Sequence, residues 1–249
     1  LFMTKYIAEV GVNHLGDPNK CFKMINKAIS CGVNGITLQI LSSSYYDHKK
    51  PHRRKLSENF YKKVSKHLKK KRISFGLAIT DPAVVKNFSN IKIDFWKILS
   101  YEFYNKNLIE SALKTKKKVY LSTGVASIKD IKKASKQYKN INFIHTTLST
   151  KINKSNLLAI KSIKKTIKNR KVSFTLHNKE DEVIIPAILL GADPIFFYIK
   201  NNDKRYYPDN SHAIKINELK MKIKLWKKIE SSMGSGVKKK LPIPKWVYE

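Results

Sequence analysis

The chain has 249 residues, 42% of them hydrophobic, which is enough for one large domain or two small ones. No apolar run approaches the roughly 18 residues that a bilayer-crossing helix needs, and Leu1-Phe2-Met3-Thr4-Lys5 lacks the charged-then-apolar-then-small order of a secretion signal. Net charge is +33, from 51 Lys plus Arg against 18 Asp plus Glu. Such a charge admits a polyanion partner such as nucleic acid or an anionic membrane surface. The lysines are spread over every predicted helix and no nucleic-acid fold signature accompanies them, so solvated lysine-rich helix faces are the preferred reading.

Taken in order, the chain alternates strand and helix. Tyr6-Ile-Ala-Glu-Val10 reads as a strand with one carboxylate, Glu9, in its middle, and Gly11 breaks it before Asn13 and His14. A buried carboxylate needs a cation, a metal or a donor facing it. The strand candidates are Lys5–Val10, Gly35–Ile40, Ile73–Ile79, Asp94–Leu99, Lys118–Ser122, Ile141–Thr146, Val172–Leu176 and Pro194–Ile199. Between them, helical spacing predicts helices over Pro18–Cys31, Ser57–Lys70, Pro82–Phe88, Lys106–Thr115, Ser127–Tyr138, Ser155–Asn169, Lys179–Leu190 and Ile214–Ser232. Cys21 and Cys31 lie about 15 Å apart on the first helix, too far for a disulfide, and two free thiols suit a reducing cytoplasm.

Eight strands, each followed by a helix, predict parallel β-α-β units closed into a single-domain (β/α)8 TIM barrel, with an open doubly wound sheet as the alternative. Residues 1–240 form this domain and residues 241–249 a proline-punctuated tail in which Trp246 can dock. The pattern leads us to expect no second domain and shows no internal repeat at the sequence level. Long irregular stretches at Leu41–Leu56 and Lys200–His212 follow strands two and eight, on the face where barrel enzymes keep their chemistry.

Polar residues at the strand ends then share one mouth. Glu9 comes from strand one and Gln39 from strand two. Lys97 and Ser100 come from strand four, with Asn105 beyond them. Strand five ends in Ser122-Thr123-Gly124, whose hydroxyls and N–H groups suit an oxyanion. Strand six contributes His145, which on an apolar strand is more often a core histidine than a ligand. Strand seven contributes Thr175 and His177, the latter a potential metal ligand. A lysine, a Ser/Thr-Gly turn and a carboxylate together suit a small phosphorylated or carboxylated substrate.

The order of these motifs resembles the N-acetylneuraminate (sialic acid) synthase family. The likeness runs from Ile7-Ala-Glu-Val-Gly-Val-Asn-His-Leu-Gly-Asp17 through Trp96-Lys-Ile-Leu-Ser100, Val119-Tyr-Leu-Ser-Thr-Gly-Val-Ala126, Ile144-His-Thr-Thr147 and Asn156-Leu-Leu-Ala-Ile-Lys161 to Met233-Gly-Ser-Gly-Val-Lys238. The resemblance implies a synthase that condenses phosphoenolpyruvate with an N-acetylated amino sugar to a 2-keto sugar acid, using Mn2+ or Mg2+ as Lewis acid. It implies that Glu9 holds or activates the metal-bound water and orients the sugar, that Lys97, Ser100, Ser122 and Asn156 grip phosphoenolpyruvate, and that His177 is one of two histidine ligands. A homodimer is a further expectation. The sequence departs from the family pattern at Thr37 (usually lysine), Leu77-Ala78-Ile79 (usually a Ser-Thr-Pro turn), Leu176 (usually aspartate), Tyr198 (usually the second metal histidine) and Asn210 (usually histidine). These departures keep open a diverged member that binds a sugar or phosphate ligand without turnover.

Overall fold

Strands that are apolar on both faces form parallel sheets covered on both sides. The computed structural model, which describes residues 3–47, 55–168, 170–240, 242–244 and 247, closes them into a barrel. The elements run β1 (Tyr6–Gly11), α1 (Pro18–Ser30), β2 (Gly35–Ile40), α2 (Ser43–Tyr46), α3 (Glu58–Lys70), β3 (Ser74–Ile79), α4 (Pro82–Asn87), β4 (Phe95–Ile98) and α5 (Lys106–Lys114). They continue with β5 (Lys118–Ser122), α6 (Ile128–Gln137), β6 (Ile141–His145), α7 (Ala159–Thr166), β7 (Val172–Leu176), α8 (Ile184–Leu189), β8 (Ala192–Lys200), β9 (Ile214–Lys215) and α9 (Leu219–Ser232). Strands β1 to β8 pair in sequence order and β8 returns to β1, all parallel. Of the loop predicted after β2, residues 48–54 lie outside the described residues, as does Trp246 of the tail.

The period-2 alternation of each strand sends one set of side chains out to the helices and the other into the lumen. Tyr6, Ala8 and Val10 of β1 join the outer core with Cys21, Met24, Ile25 and Ala28 of α1. Both cysteines are buried and free. Ile7, Phe95, Tyr120, Ile144 and Phe196 form a separate inner cluster. There the rings of Phe95 and Tyr120 stand 5.3 Å apart, and Phe196 lies 6.1 Å from the first and 5.3 Å from the second. One or two positions further along their strands, the inward residues turn polar: Glu9, Thr37, Gln39, Lys97, Ser122 and Thr175, all buried. The lumen is therefore plugged by apolar rings at one end and polar at the other, the C-terminal mouth.

The plug sets a tight steric limit at Gly76, whose register partner is Phe95. A Cβ there would sit 2.0 Å from the Phe95 ring, which is itself packed on Tyr120 and Phe196. Gly76→Ala is expected to destabilise the protein by about 2–3 kcal/mol through overpacking, read as a lower urea midpoint at unchanged m-value.

Three helix boundaries differ from the sequence expectation. The helix expected from Ser155 begins at Ala159, because Asn156 holds φ +44 and turns the chain instead. The one expected from Lys179 is preceded by a 3-10 turn at Asp181–Val183. The one expected from Ile214 begins at Leu219, because Ile214 and Lys215 pair with Ile199 and Lys200 and extend the sheet. Among the described residues no helix is long and apolar enough to cross a membrane.

Candidate functional site

A cavity of about 320 Å³ opens at the C-terminal mouth. It is lined by Gln39, Lys97, Ser100, Ser122 and His177, together with Tyr198, Asp209 and His212. Five of the residues expected to share a site from the sequence are thus gathered on one wall.

Glu9 lies just beneath. It is 1% exposed, and its carboxylate is met by the Lys97 ammonium. The two residues sit on β1 and β4, so the lysine reaches across the lumen, passing the Phe196 ring at 4.9 Å and the Tyr198 ring at 5.7 Å. Tyr198, register partner of Glu9 on β8, gives its hydroxyl to the same carboxylate. Burial drives the Lys97 pKa below its ordinary value against the opposing pull of Glu9. Burial, reinforced by Glu9 and Asp209, drives the Tyr198 phenol well above its own. The buried carboxylate anticipated in strand one therefore finds both a cation and a donor.

Ser122 Oγ is buried with no hydrogen-bond partner among the described residues, which leaves it free for a ligand. Ser100 Oγ accepts from the Gly124 backbone N–H at 3.2 Å. Thr123 N–H donates to the Ile144 carbonyl at 3.0 Å. The Thr123 and Gly124 N–H groups are thus committed within the protein, and the turn offers a ligand the Ser122 hydroxyl.

Three expected site residues stand elsewhere. Asn105 caps α5, accepting from Leu108 N–H at 3.1 Å and donating to Glu102 at 2.8 Å. Asn156 is exposed on the turn before α7, with a left-handed backbone, and is not among the residues lining the cavity. Thr175 faces the lumen but below the mouth, its hydroxyl buried and without a partner among the described residues. For Asn105 the cap accounts for the side chain. Asn105→Ala is expected to cost about 1 kcal/mol of stability and to leave ligand affinity within twofold, as calorimetry would show. His145 points outward and meets the Ser155 carbonyl at 3.0 Å, a satisfied core histidine.

The cavity also recruits residues that no period in the sequence marks. Tyr101 follows β4, and Leu148, Ser149 and Thr150 follow β6. Asp209, Ser211 and His212 come from the loop after β8. Burial, with the charge of Glu9, raises Asp209 to about 7. Burial and the nearby Lys97 charge hold His177 down at about 3 and His212 at about 4, so both imidazoles are neutral at physiological pH.

Among the described residues no group of three His, Cys, Asp or Glu side chains is arranged to enclose a metal ion. His177 brings one imidazole to the cavity. His177 Nδ1 lies 3.1 Å from the Thr147 carbonyl, which fixes the tautomer and leaves Nε2 as a lone-pair donor on the ring's far side. Asp209 Oδ2 and His212 Nε2 are both buried without a hydrogen-bond partner among the described residues.

A model of the NeuB family matches residues 24–238. N,N'-diacetyllegionaminic acid synthase of Campylobacter jejuni is 28% identical over 265 residues, covering 95% of this chain and 79% of that protein. Human N-acetylneuraminate-9-phosphate synthase is 22% identical over 261 residues, covering 95% and 73%. Among solved structures, the N-acetylneuraminic acid synthetase of Leptospira borgpetersenii, in complex with citrate, shares the fold at a TM-score of 0.87 and 24% identity, covering 96% of this chain and 88% of that one.

Proposed function

The chain belongs to the NeuB family, and on that premise we propose that it condenses phosphoenolpyruvate with the open-chain aldehyde of an N-acetylated amino sugar to give a 2-keto sugar acid and phosphate. The observation that carries this reading is the convergence of Lys97, Ser100, Ser122 and His177 on one cavity above the buried Glu9. A cation and two hydroxyls on one wall suit a phosphate and a carboxylate.

In the proposed reaction carbon 3 of phosphoenolpyruvate bonds to the aldehyde carbon, and the aldehyde oxygen takes up a proton. Water adds at carbon 2, and the carbon–oxygen bond to phosphate breaks. Lys97 and Ser122 bind the anionic groups, and Ser100 supports Ser122 from across the Gly124 turn. Glu9 orients the sugar and accepts the proton of the attacking water. For this, Lys97 must pass from Glu9 to the incoming anion, which frees the carboxylate as phosphoenolpyruvate binds. Mn2+ or Mg2+, held by His177, would supply Lewis-acid polarisation of the aldehyde. Gln39 and Tyr101 border the space left for the sugar.

The test is phosphate release from phosphoenolpyruvate by the full chain with Mn2+ and N-acetylmannosamine or a di-N-acetylated 6-deoxy sugar. Turnover that needs both substrates is the expected result. A second reading, ligand binding without turnover, is favoured by Tyr198, whose hydroxyl occupies Glu9 where the family pattern has a histidine. Under that reading phosphoenolpyruvate binds by calorimetry but no phosphate appears with any N-acetyl sugar.

A further inference from the structure

Composition alone makes the lysines of this chain solvated helix faces, but on α3 their arrangement is more specific. Lys62, Lys66 and Lys70 follow one another at i,i+4 spacing along a single ridge of the helix. Like charges at that spacing destabilise a helix. Glu58 relieves Lys62 at 2.6 Å, while Lys66 and Lys70 meet no carboxylate among the described residues. The negative end of the helix dipole accounts for cations in the last turn. It does not account for Lys62 and Lys63, which stand in the first half of α3.

These lysines border a groove of about 520 Å³ between α1 and α3. Its floor is aromatic. Phe22 of α1 is partly buried, and its ring lies 4.7 Å from the His67 imidazole, with Lys63 Nζ over it at 5.3 Å. His67 Nε2 donates to Asn26 Oδ1 at 2.7 Å, which holds the imidazole beside the ring. Burial, reinforced by the charges of Lys71 and Lys70, holds His67 below its ordinary pKa. The groove thus combines a positive field with a flat ring pair beneath it.

The basic surface continues past the end of α3. A second cavity, of about 370 Å³, is lined by Lys69, Arg72 and Lys92 beside the strand starts at Ser74 and Asp94. Asp94 is already engaged there, its Oδ2 accepting from the Phe75 N–H at 2.7 Å. From Lys62 to Arg72 the track runs about 15 Å along the helix, longer than one small anion needs and suited to a chain of phosphates. It ends at the strand starts, at the opposite end of the barrel from the mouth, so the inference does not rest on the synthase reading.

A duplex or an anionic membrane meets the exposed ammonium groups and leaves Phe22 aside, because its ring lies partly buried beneath Lys63. An unpaired base can enter a groove of this size and stack on an aromatic face, which is how single strands are held without sequence preference. We propose that the α1–α3 groove and the basic surface beyond it bind single-stranded nucleic acid, with phosphates on the lysines and a base on the Phe22–His67 pair.

The test is fluorescence anisotropy of a labelled oligothymidylate titrated with the full chain between about 50 and 200 mM NaCl. The triple variant Lys63→Gln/Lys66→Gln/Lys70→Gln is expected to weaken binding about tenfold and to lower the slope of log Kd against log salt by about 2, the share of three phosphate contacts on a single strand. Lys132→Gln/Lys133→Gln/Lys136→Gln removes the same charge from α6 and is expected to stay within about twofold of wild type. Phe22→Leu keeps the floor apolar without the ring. It is expected to weaken the single strand about fivefold or more, the scale of one lost base stack, and to leave a duplex of equal length unchanged. Circular dichroism of every variant separates lost contacts from lost folding. The proposal is overturned if the α6 variant loses as much as the α3 variant, since net charge alone then holds the strand. It is equally overturned if the duplex binds as tightly as the single strand and Phe22→Leu alters neither, or if saturable binding is absent at the upper salt. Capture by phosphatidylserine vesicles through the α3 lysines, with no binding of the oligothymidylate, would replace the nucleic acid by a membrane surface.

Discussion

Lys97→Met is expected to lower the unfolding free energy by about 3–5 kcal/mol at neutral pH, the range for removing one partner of a buried ion pair. The magnitude follows from what is left behind. Glu9 is 1% exposed and sits just above the apolar plug of Phe95, Tyr120 and Phe196. Without the ammonium its carboxylate keeps only the Tyr198 hydroxyl. The pair itself gains little net free energy, because bringing both charges out of water offsets much of their attraction. Adding Glu9→Gln to Lys97→Met is therefore expected to regain most of the loss, since an amide can still accept from Tyr198 and no charge is buried. Urea unfolding of the two single variants and the double variant measures the coupling directly. A Lys97→Met cost below 1 kcal/mol would mean that water reaches Glu9, and the account of the lumen as dry at that level would fall.

The lumen was the legible part of this chain. Glu9, Gln39, Lys97, Ser122 and Thr175 occupy inward positions of a period-2 pattern, and once eight strands close into a ring that period alone sends them to one interior. The bounds of β2, β5 and β7 match the expected runs to the residue. What the pattern does not encode is the path of a loop. Asp209 and His212 reach the cavity on a turn held by Asn13, from beyond β1, and by Lys200, at the end of β8, and no local spacing signals that. The histidine that the family pattern has at position 210, two residues before His212, was the sole hint. Asn105 and Asn156 fail to reach the wall for the opposite reason: each obeys local backbone chemistry, one as a helix cap and one in a left-handed turn. Ile214 and Lys215 were read as helix because their apolar spacing suits either state, and pairing with the end of β8 decided it.

Glu9→Gln is the variant expected to separate chemistry from architecture. It is expected to lower the turnover number for phosphate release by about 10³-fold, the middle of the range for removing a positioned proton-transfer group, with KM for phosphoenolpyruvate changed less than threefold. The protein should stay folded. The amide keeps the size of the acid and its hydrogen bond from Tyr198, and its oxygen can still accept from the Lys97 ammonium, which the incoming anion then pairs. The split between kcat and KM is the informative part. A residue that merely held Lys97 in place for the phosphate would raise KM and spare kcat, because the anion would meet a mispositioned or neutral amine. A residue that takes the water's proton lowers kcat and spares binding. Turnover within tenfold of wild type would remove Glu9 from the chemistry and leave it as the counter-charge that lets a lysine live inside the barrel.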